Sequence, residues 1–425
     1  MRSLRIIVCP VIFLLPMKVS AENEADPAVA TRSTNELGLD LYRKLTTGEE
    51  NLCLSPYSIA SALAMTFAGT EGETRSEMAR MLHLSQTGDE THGSFAALQK
   101  ELEQMVAKSG ENIAQSKKVG GRSEAITLAI ANRLFAQKDF AFLEKFLGLV
   151  KTNYGAPLEP LDFAHDAAGA TKRINDWVAE QTRKRIRDLI PAGALDETTR
   201  MVLTNALYLK APWSDPFSKE ETRPQPFHLR GGRSPVNVPM MHRHFHALGY
   251  AKHPGFVAVA LPYTGSDLNF VIFLPDDANG LAALEAKLTP GILADCAKLQ
   301  PADVNLSMPK FKLEPATIAL KSQLQGLGMK TAFDEPQGSA NFDRLAPRKP
   351  NEYLYLSKVF HKTFIAVDEQ GTEAAASTAA AMALATSAIQ RSEPIEVKVD
   401  QPFLYAIQHA ASGVCLFLGR VTDPR

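Results

Sequence analysis

Cysteine is scarce in this sequence, with four residues among 425. Cys9 lies near the start of the chain, so a chain that has lost its leader would keep Cys53, Cys296 and Cys415. An odd number of thiols permits at most one internal bridge. Cys53 and Cys415 lie in apolar, strand-like stretches, where a free cysteine acts as a small hydrophobic residue. The sequence therefore argues against a disulfide framework and leaves the state of the three thiols open.

An excess of charge is also absent, because 46 basic residues are balanced by 47 acidic ones. No global field would recruit nucleic acid or an anionic membrane, so neither is an expected partner. Enzyme signatures are lacking too: there is no Gly-x-Ser-x-Gly elbow or His-Glu-x-x-His helix, and Gly326-Leu-Gly328 lacks the third glycine of a dinucleotide site. Catalytic residues can assemble from distant parts of a chain, so this lowers the enzyme hypothesis without removing it. We expect a protein that is not an enzyme and needs no cofactor.

The N-terminal apolar run is too short for a membrane anchor. It extends from Ile6 to Leu15, whereas a bilayer span needs ~20 residues. Arg2 and Arg5 precede it and the small residues of Val19–Ala21 follow, which is the pattern of a secretory signal peptide. We predict a signal peptide over residues 1–21, a tail over 22–30 and one domain over 31–425. The protein is expected to be secreted and extracellular, or periplasmic in a bacterium.

Helical and strand periodicities are mixed along the chain. Leu37, Leu41 and Leu45 form a helical stripe, and Ser55 followed by Pro56 predicts the start of the next helix. Strand patterns occur at residues 126–130, 201–209, 256–261 and 268–274, the last two forming a predicted hairpin. Because helices and strands do not alternate regularly, the pattern favours an α+β fold over a doubly wound sheet.

Two polar features are interpreted as surface structure. The stretch Lys108–Arg122 contains glycine, serine and four basic residues, too few for a polyanion site, and we interpret it as a disordered surface loop. His242, His244 and His246 would share one face of a strand, where neutral imidazoles can ligate a transition metal. No carboxylate or cysteine is obviously recruited nearby. We therefore interpret these histidines as surface or edge-strand residues and predict no metal.

The most informative segment lies between Val367 and Glu393 and consists largely of alanine, serine and threonine. An alanine-rich helix is one interpretation. Read with a period of two, the even-numbered residues from Thr372 to Leu384 fall on one face, and Glu373, the only charge, falls on the other. Such a segment could be an exposed loop that later enters a sheet, with its uncharged face buried and the other face wet.

Several motifs resemble those of the serpin family and occur in the family's order from about Thr31 to Pro424. The hinge of inhibitory serpins is resembled by Glu369-Gln-Gly-Thr-Glu-Ala-Ala-Ala-Ser-Thr-Ala. The other matching motifs are Asn51-Leu-Cys-Leu-Ser-Pro-Tyr-Ser-Ile, Thr204-Asn-Ala-Leu-Tyr-Leu-Lys-Ala-Pro-Trp, Val238-Pro-Met-Met, Leu274-Pro, Met308-Pro-Lys-Phe, Leu356-Ser-Lys-Val-Phe-His-Lys, Gln401-Pro-Phe and Phe417-Leu-Gly-Arg. One such motif would be weak support, whereas the ordered series is specific.

The resemblance implies a serpin fold: about nine helices packed around three β-sheets, with an exposed reactive-centre loop over about residues 369–394. The implied hinge of this loop comprises Glu369, Gly371, Thr372, Glu373, Ala374, Ala375, Ala376 and Ser377. The implied sheet-opening gate comprises Ser55, Ser58, Asn205, His361, Trp213 and Lys310, with Lys310 and Glu369 forming an ion pair. In the family these residues are structural and not catalytic.

The resemblance also implies a function. An inhibitory serpin is cleaved by its target protease, and the loop then inserts into the central sheet and traps the acyl-enzyme. Sixteen positions after the hinge glutamate, the family pattern places the reactive bond between Ala385 and Thr386, and Arg391-Ser392 is a rival bond. Ala385 suits an elastase- or subtilisin-like protease better than a trypsin-like one. We expect a monomeric, secreted inhibitor of serine or cysteine proteases; the alternative is a non-inhibitory serpin that binds or carries a ligand.

Overall fold

The computed structural model describes residues 25–84, 89–118, 124–156, 158–349, 352–373 and 393–425. Within these ranges the chain forms nine α-helices, which are α1 (Ala28–Leu45), α2 (Pro56–Phe67), α3 (Gly72–Met81), α4 (Asp89–Lys118), α5 (Glu144–Tyr154), α6 (Phe163–Gln181), α7 (Leu281–Lys287), α8 (Pro290–Cys296) and α9 (Lys321–Gly326). The first eight strands are β1 (Leu52–Leu54), β2 (Thr127–Gln137), β3 (Glu159–Leu161), β4 (Met201–Pro212), β5 (Arg223–Phe227), β6 (Val236–His253), β7 (Phe256–Pro262) and β8 (Leu268–Pro275). The remaining strands are β9 (Gln300–Pro309), β10 (Phe311–Leu313), β11 (Ile318–Ala319), β12 (Leu356–Thr363), β13 (Ile365–Asp368), β14 (Gly371–Thr372), β15 (Ile395–Lys398), β16 (Phe403–His409) and β17 (Cys415–Val421).

Local sequence signals account for several of these boundaries. The hydroxyl of Ser55 accepts a hydrogen bond from the backbone N–H of Ser58 at 3.2 Å, and Pro56 is the first residue of α2, so the predicted helix start is confirmed. The predicted hairpin is confirmed as β7 and β8, which pair antiparallel, with Gly265 at a φ of +66° in their connection. A positive φ of this size is easily reached by glycine.

Eight strands form a central sheet: β2, β3, β4, β10, β11, β12, β13 and β14. β4 is its long buried member, antiparallel to β2 on one side and parallel to β12 on the other. The parallel pairing runs from Leu356 opposite Met201 to Thr363 opposite Leu207. β13 follows β12 directly along the chain, but β14 lies between β13 and β4. The sheet is therefore closed along β12 and holds an additional short strand at the end formed by β13.

Nine other strands form a second hydrogen-bonded sheet: β1, β5, β6, β7, β8, β9, β15, β16 and β17. β6 spans 18 residues and connects the sheet, because its first part pairs with β5, its last part pairs with β7, and β9 pairs along its middle. Two of the three sheets expected from the resemblance are thus continuous through β6. The α+β fold with mixed sheets and nine helices in the described residues is confirmed.

Apolar side chains cover both faces of the central sheet. The larger core includes residues of α1, α2 and both sheets, among them Tyr57 and Phe270. A separate cluster lies between α6, the segment that follows it, and the other face of the central sheet; its members include Trp177, Ile186 and Phe360.

The loop interpretation of Lys108–Arg122 is wrong for residues 108–118, because α4 continues through Lys118. Met105, Ser109 and Ile113 are buried at a spacing of four residues, so this part of the helix has a stripe facing the protein. The hydroxyl of Ser109 also accepts a hydrogen bond from the backbone N–H of Ile126 at 3.2 Å. This narrow buried stripe stabilises a helix whose exposed positions are polar. Residues 119–122 lie outside the described ranges.

The three cysteines within the described ranges are buried and free. Burial raises the pKa of the Cys53 thiol to about 11 and that of Cys296 to about 12, so both thiols are protonated at neutral pH. Across the same ranges, no helix is long and apolar enough to span a membrane. The predicted signal peptide, residues 1–21, lies outside them.

Candidate functional site: the hinge of the alanine-rich loop

The alanine-rich segment begins inside the central sheet. Gly371 and Thr372 form β14, which is antiparallel to β13 on one side and to β4 on the other. Thr372 pairs with Val367 of β13 and with Ala211 of β4. The first residues of the predicted hinge are therefore already a strand between two neighbours.

Gly371 occupies a position that only glycine fits. Its φ is +149°, and a Cβ atom at this position would lie 2.2 Å from the carbonyl oxygen of Ala211 and 2.7 Å from the Cα of Pro212. Both atoms belong to the backbone of β4, so no side-chain rotation could relieve the contact. The close approach of the β14 and β4 backbones therefore explains why this position holds glycine.

The side chain of Thr372 points into the core between the sheets. It is 1% exposed, and its hydroxyl lies 2.5 Å from the hydroxyl of Tyr263. The Tyr263 ring stacks on Trp213 with a centroid distance of 4.7 Å, and the indole N–H of Trp213 donates to the carbonyl of Asp368 at 2.9 Å. The backbone N–H of Trp213 also donates to the carbonyl of Gln370. Trp213 therefore holds the turn that directs the chain into β14.

A buried ion pair lies at the same turn. The carboxylate of Glu369 accepts from the ammonium of Lys310 at 2.8 Å and from the hydroxyl of Thr222 at 2.9 Å. The Glu369 side chain is 4% exposed, and its burial alone would raise its pKa. The hydrogen bond from Lys310, with those from the backbone and Thr222, outweighs burial, and the pKa of Glu369 lies below its ordinary value. Glu369 is consequently charged at neutral pH.

Glu373 ends the inserted part of the hinge. Its φ is +48°, and its backbone N–H donates to the carbonyl of Ala366 at 2.7 Å. Its carboxylate forms an ion pair with Arg185, which belongs to the segment between α6 and β4. Burial raises the pKa of Glu373, and the positive charge of Arg185 opposes this effect. The side chain is only 10% exposed here, and its predicted wet position concerns an inserted strand, which the described residues contain only through Thr372.

The sequence analysis missed Arg185 as the partner of Glu373. The only local signal was the basic run of residues 183–187, of which four are Arg or Lys. That run alone would be interpreted as a solvated surface.

Four of the predicted gate residues, Ser55, Ser58, Asn205 and His361, belong to one buried hydrogen-bonded cluster under the closed part of the central sheet, whereas Trp213 and Lys310 contact the hinge turn. Nε2 of His361 accepts from the backbone N–H of Ser55 at 3.1 Å, and its Nδ1 lies 2.5 Å from the side-chain oxygen of Asn205. Since Nε2 is an acceptor, the proton of the neutral ring resides on Nδ1 and is donated to Asn205. Burial lowers the pKa of His361 to about 3, so the ring is neutral at physiological pH.

Ser58 reaches this cluster through a residue that the sequence analysis did not identify. Its hydroxyl donates to the side-chain oxygen of Asn132 at 2.8 Å, and the Asn132 amide donates to the carbonyl of Ser58 at 3.1 Å. Asn132 lies on β2, opposite Asn205 of β4. The cluster thus connects the start of α2 to three strands of the central sheet.

The remaining predicted positions lie outside the described residues. They are Ala374, Ala375, Ala376 and Ser377 of the hinge, Ala385 and Thr386 of the reactive bond, and the rival pair Arg391 and Ser392. Beyond them the described chain resumes at Glu393 and enters β15 of the second sheet, parallel to β9. The two ends of the alanine-rich segment are therefore held in different sheets.

Comparisons with known proteins agree with this arrangement. The family model described as "Serpin (serine protease inhibitor)" matches residues 32–424. The chain is similar to the human leukocyte elastase inhibitor, with 35% identity over 402 residues that cover 92% of this chain and 98% of the relative.

Solved structures give the same result. The crystal structure of Serpin48, described as a highly specific serpin of the insect Tenebrio molitor, is 31% identical, covers 93% of this chain and 98% of that one, and has a TM-score of 0.74. Human thyroxine-binding globulin in complex with its hormone is 26% identical, covers 93% and 99%, and also has a TM-score of 0.74. The chain belongs to the serpin family, the family of serine protease inhibitors.

Proposed function

We propose that this protein is a suicide-type inhibitor of serine proteases that works by loop insertion, and not an enzyme. The observation that carries the proposal is β14, because the hinge already enters the central sheet antiparallel to both neighbours. A protease that attacks the loop would form an acyl-enzyme. Release of the new chain end would then allow the strand to extend, carrying the attached protease with it and distorting its catalytic site before hydrolysis.

The register of β14 specifies where the extended strand would go. Thr372 lies opposite Ala211 and Val367, and each further residue of the loop moves one residue back along β4 and β13. Six residues later, Thr378 would lie between Asn205 and His361. The strand would therefore pass through the gate cluster, which supports the role of Ser55, Ser58, Asn205 and His361 in sheet opening.

The composition of the loop fits this path. The even-numbered residues would face the core, as Thr372 does, and they are small or apolar through Leu384. Bulky or charged side chains on that face would arrest entry between packed strands. An inhibitory role requires such a face, whereas a carrier does not.

The reactive bond is proposed to lie between Ala385 and Thr386, which suits a protease with a pocket for small or medium apolar side chains. The similarity to the leukocyte elastase inhibitor supports an elastase-like target. Cleavage at the rival Arg391-Ser392 would lengthen the tether by six residues and leave slack that could spare the protease. We further propose that the protein acts as a monomer and is secreted through the signal peptide of residues 1–21.

A protease-trapping experiment tests the proposal. The chain is mixed with an elastase-like and with a trypsin-like protease, denatured in detergent and analysed for a covalent complex. We expect a complex with the elastase-like protease and a released peptide that begins at Thr386; a peptide that begins at Ser392 would instead identify the rival bond.

A melting experiment separates inhibition from ligand carriage. Loop cleavage should raise the melting temperature of an inhibitory serpin strongly, because the sheet gains a strand. The proposal would be contradicted if the melting temperature of the cleaved chain were no higher than that of the intact chain and no covalent complex formed. That result would favour a ligand-binding serpin, as the name of thyroxine-binding globulin describes.

A further inference from the structure

Two exposed histidines and an aspartate converge at an irregularity of the second sheet. His244 and His246 lie two residues apart on β6 and share a face, as strand geometry requires. The pairing of β6 with β9 changes register between Phe245 and Leu248, so two residues of β6 lie opposite Asp303. This bulge brings the Asp303 carboxylate to the face that carries both imidazoles.

The three side chains are close enough to share one ion. Their ligand atoms all lie within 4.8 Å of one another. Nε2 of His244 contacts the Asp303 carboxylate, and Nδ1 of His246 lies 4.0 Å from the same oxygen. The two imidazole rings meet edge to face with a centroid distance of 4.4 Å. The side chains are 38%, 62% and 21% exposed, respectively, so a dissolved ion has access to them.

A hydrogen bond between His244 and Asp303 accounts for one contact but leaves the position of His246 unexplained. The 4.0 Å separation between His246 and Asp303 is too long for a hydrogen bond. Ligand atoms about 2.1 Å from a tetrahedral metal ion lie roughly 3.4 Å from each other. Movements of these side-chain ligand atoms by up to about 1.5 Å would therefore bring them to the distances of a metal site.

We propose that His244, His246 and Asp303 bind one divalent late transition-metal ion, with zinc as the physiological candidate. Two imidazoles and one carboxylate suit Zn²⁺, Cu²⁺ or Ni²⁺, whereas Ca²⁺ and Mg²⁺ prefer oxygen ligands alone. The carboxylate of the nearby Glu396 already accepts a hydrogen bond from the Asn305 side chain at 2.5 Å and is not counted as a ligand. Water would therefore complete the coordination of the ion. The signal missed in the sequence was Asp303, because its approach depends on the pairing of two strands that are distant in the sequence.

The position of the site gives it a structural consequence. The ion would cross-link β6 to β9, and β9 also pairs with β15, the strand into which the alanine-rich loop leads. Metal binding would therefore stabilise the sheet that holds the C-terminal end of the loop. This effect does not depend on protease inhibition.

Calorimetric titration of the untagged chain with zinc sulfate tests the proposal, with calcium as the comparison ion. We expect one zinc ion per chain, and a loss of affinity of about tenfold or more in His246→Ala and in Asp303→Asn, since even residues behind a ligand change metal affinity by ~10–100-fold. His242→Ala is the matched control. It lies on the same strand and face, but its Nδ1 is 3.1 Å from the hydroxyl of Ser307, and it should bind zinc like the parent chain. Melting curves of each variant without metal show whether it is folded.

Three results would overturn the proposal. They are parent-chain zinc binding weaker than a Kd of ~1 mM, equal affinity for calcium, and a loss in His242→Ala as large as that in His246→Ala. A rise of the melting temperature in excess zinc that disappears in folded His246→Ala supports it.

Discussion

A charge at residue 378 gives a direct test of loop insertion. In the register of β14, an inserted Thr378 lies beside Asn205 and His361, both of which are 0% exposed. Thr378→Arg would bring a guanidinium group to a cluster whose hydrogen-bonding groups are neutral. An unpaired buried ion costs several kcal/mol. If ~3 kcal/mol of that cost is present when the strand passes this level, insertion slows by roughly two powers of ten.

The neighbouring residue provides the matched control. In the same register an inserted Ser377 faces the opposite side of the sheet, level with Lys362. On that side of the sheet, the Lys362 ammonium extends away from the strands and donates to the carbonyl of Arg187 at 2.9 Å. A long side chain can extend its charge to solvent along such a path. Ser377→Arg should therefore insert far more readily than Thr378→Arg, although the two charges are adjacent in the sequence.

The assay measures how each cleaved molecule is partitioned. The variants are mixed with an elastase-like protease, and the covalent complex and the free cleaved chain are quantified on a denaturing gel. We expect the ratio of complex to cleaved chain to fall by roughly 100-fold in Thr378→Arg, as the barrier estimate gives, and to change much less in Ser377→Arg. The loop should be cut at similar rates in both. Equal trapping by the two variants would refute the proposed register, and normal trapping by Thr378→Arg would refute insertion.

Two further predictions concern the hinge and the gate. Gly371→Ala should lower the free energy of unfolding in urea by ~1–3 kcal/mol, because its Cβ would meet the backbone of β4. Gly193 is the control, since its φ is +73° but nothing lies within 4 Å of its Cβ position, and Gly193→Ala should lower the free energy of unfolding less. Equal decreases in the two variants would contradict the close-approach argument. His361 binds fewer protons folded than unfolded, with a folded pKa of about 3, so its contribution is fully present above pH ~6.5 and falls by ~1.4 kcal/mol per pH unit below that. The urea midpoint should thus fall between pH 6 and pH 4, and an unchanged slope in His361→Asn would show that another group is responsible.

Features determined by the local backbone could be predicted from the sequence. The cap at Ser55 and the hairpin of β7 and β8 each depend on residues close to one another in the sequence. The small-residue alternation after Thr372 stays a prediction of a strand-compatible loop, because residues 374–392 lie outside the described ranges. The family resemblance then supplied the order of the elements, which local patterns alone could not.

Partners that depend on strand pairing could not be predicted in this way. Arg185 beside Glu373, Asn132 beside Ser58 and Asp303 beside His244 are separated from their partners by 59 to 188 positions. Each contact forms only when distant parts of the chain pack together, and the one to Asp303 also depends on a bulge between β6 and β9. The helix at Lys108–Lys118 was missed for a related reason, because its stability depends on a buried stripe and not on its exposed polar residues.

The two anchors of the loop give a physical reason why, in the proposed mechanism, cleavage would precede full insertion. β14 holds one end of the loop in the central sheet, and β15 holds the other end in the second sheet. β15 pairs with β9, and Lys310, the residue after β9, forms the ion pair with Glu369 at the hinge. Extending the strand from Thr372 to Ala385 would carry Ala385 about 43 Å along the sheet at ~3.3 Å per residue. The ten residues from Ala385 to Ile395 reach at most ~36 Å when fully extended. In the proposed mechanism, an uncut loop would therefore stop short, and β4 would stay paired with β12 until a protease divides the chain.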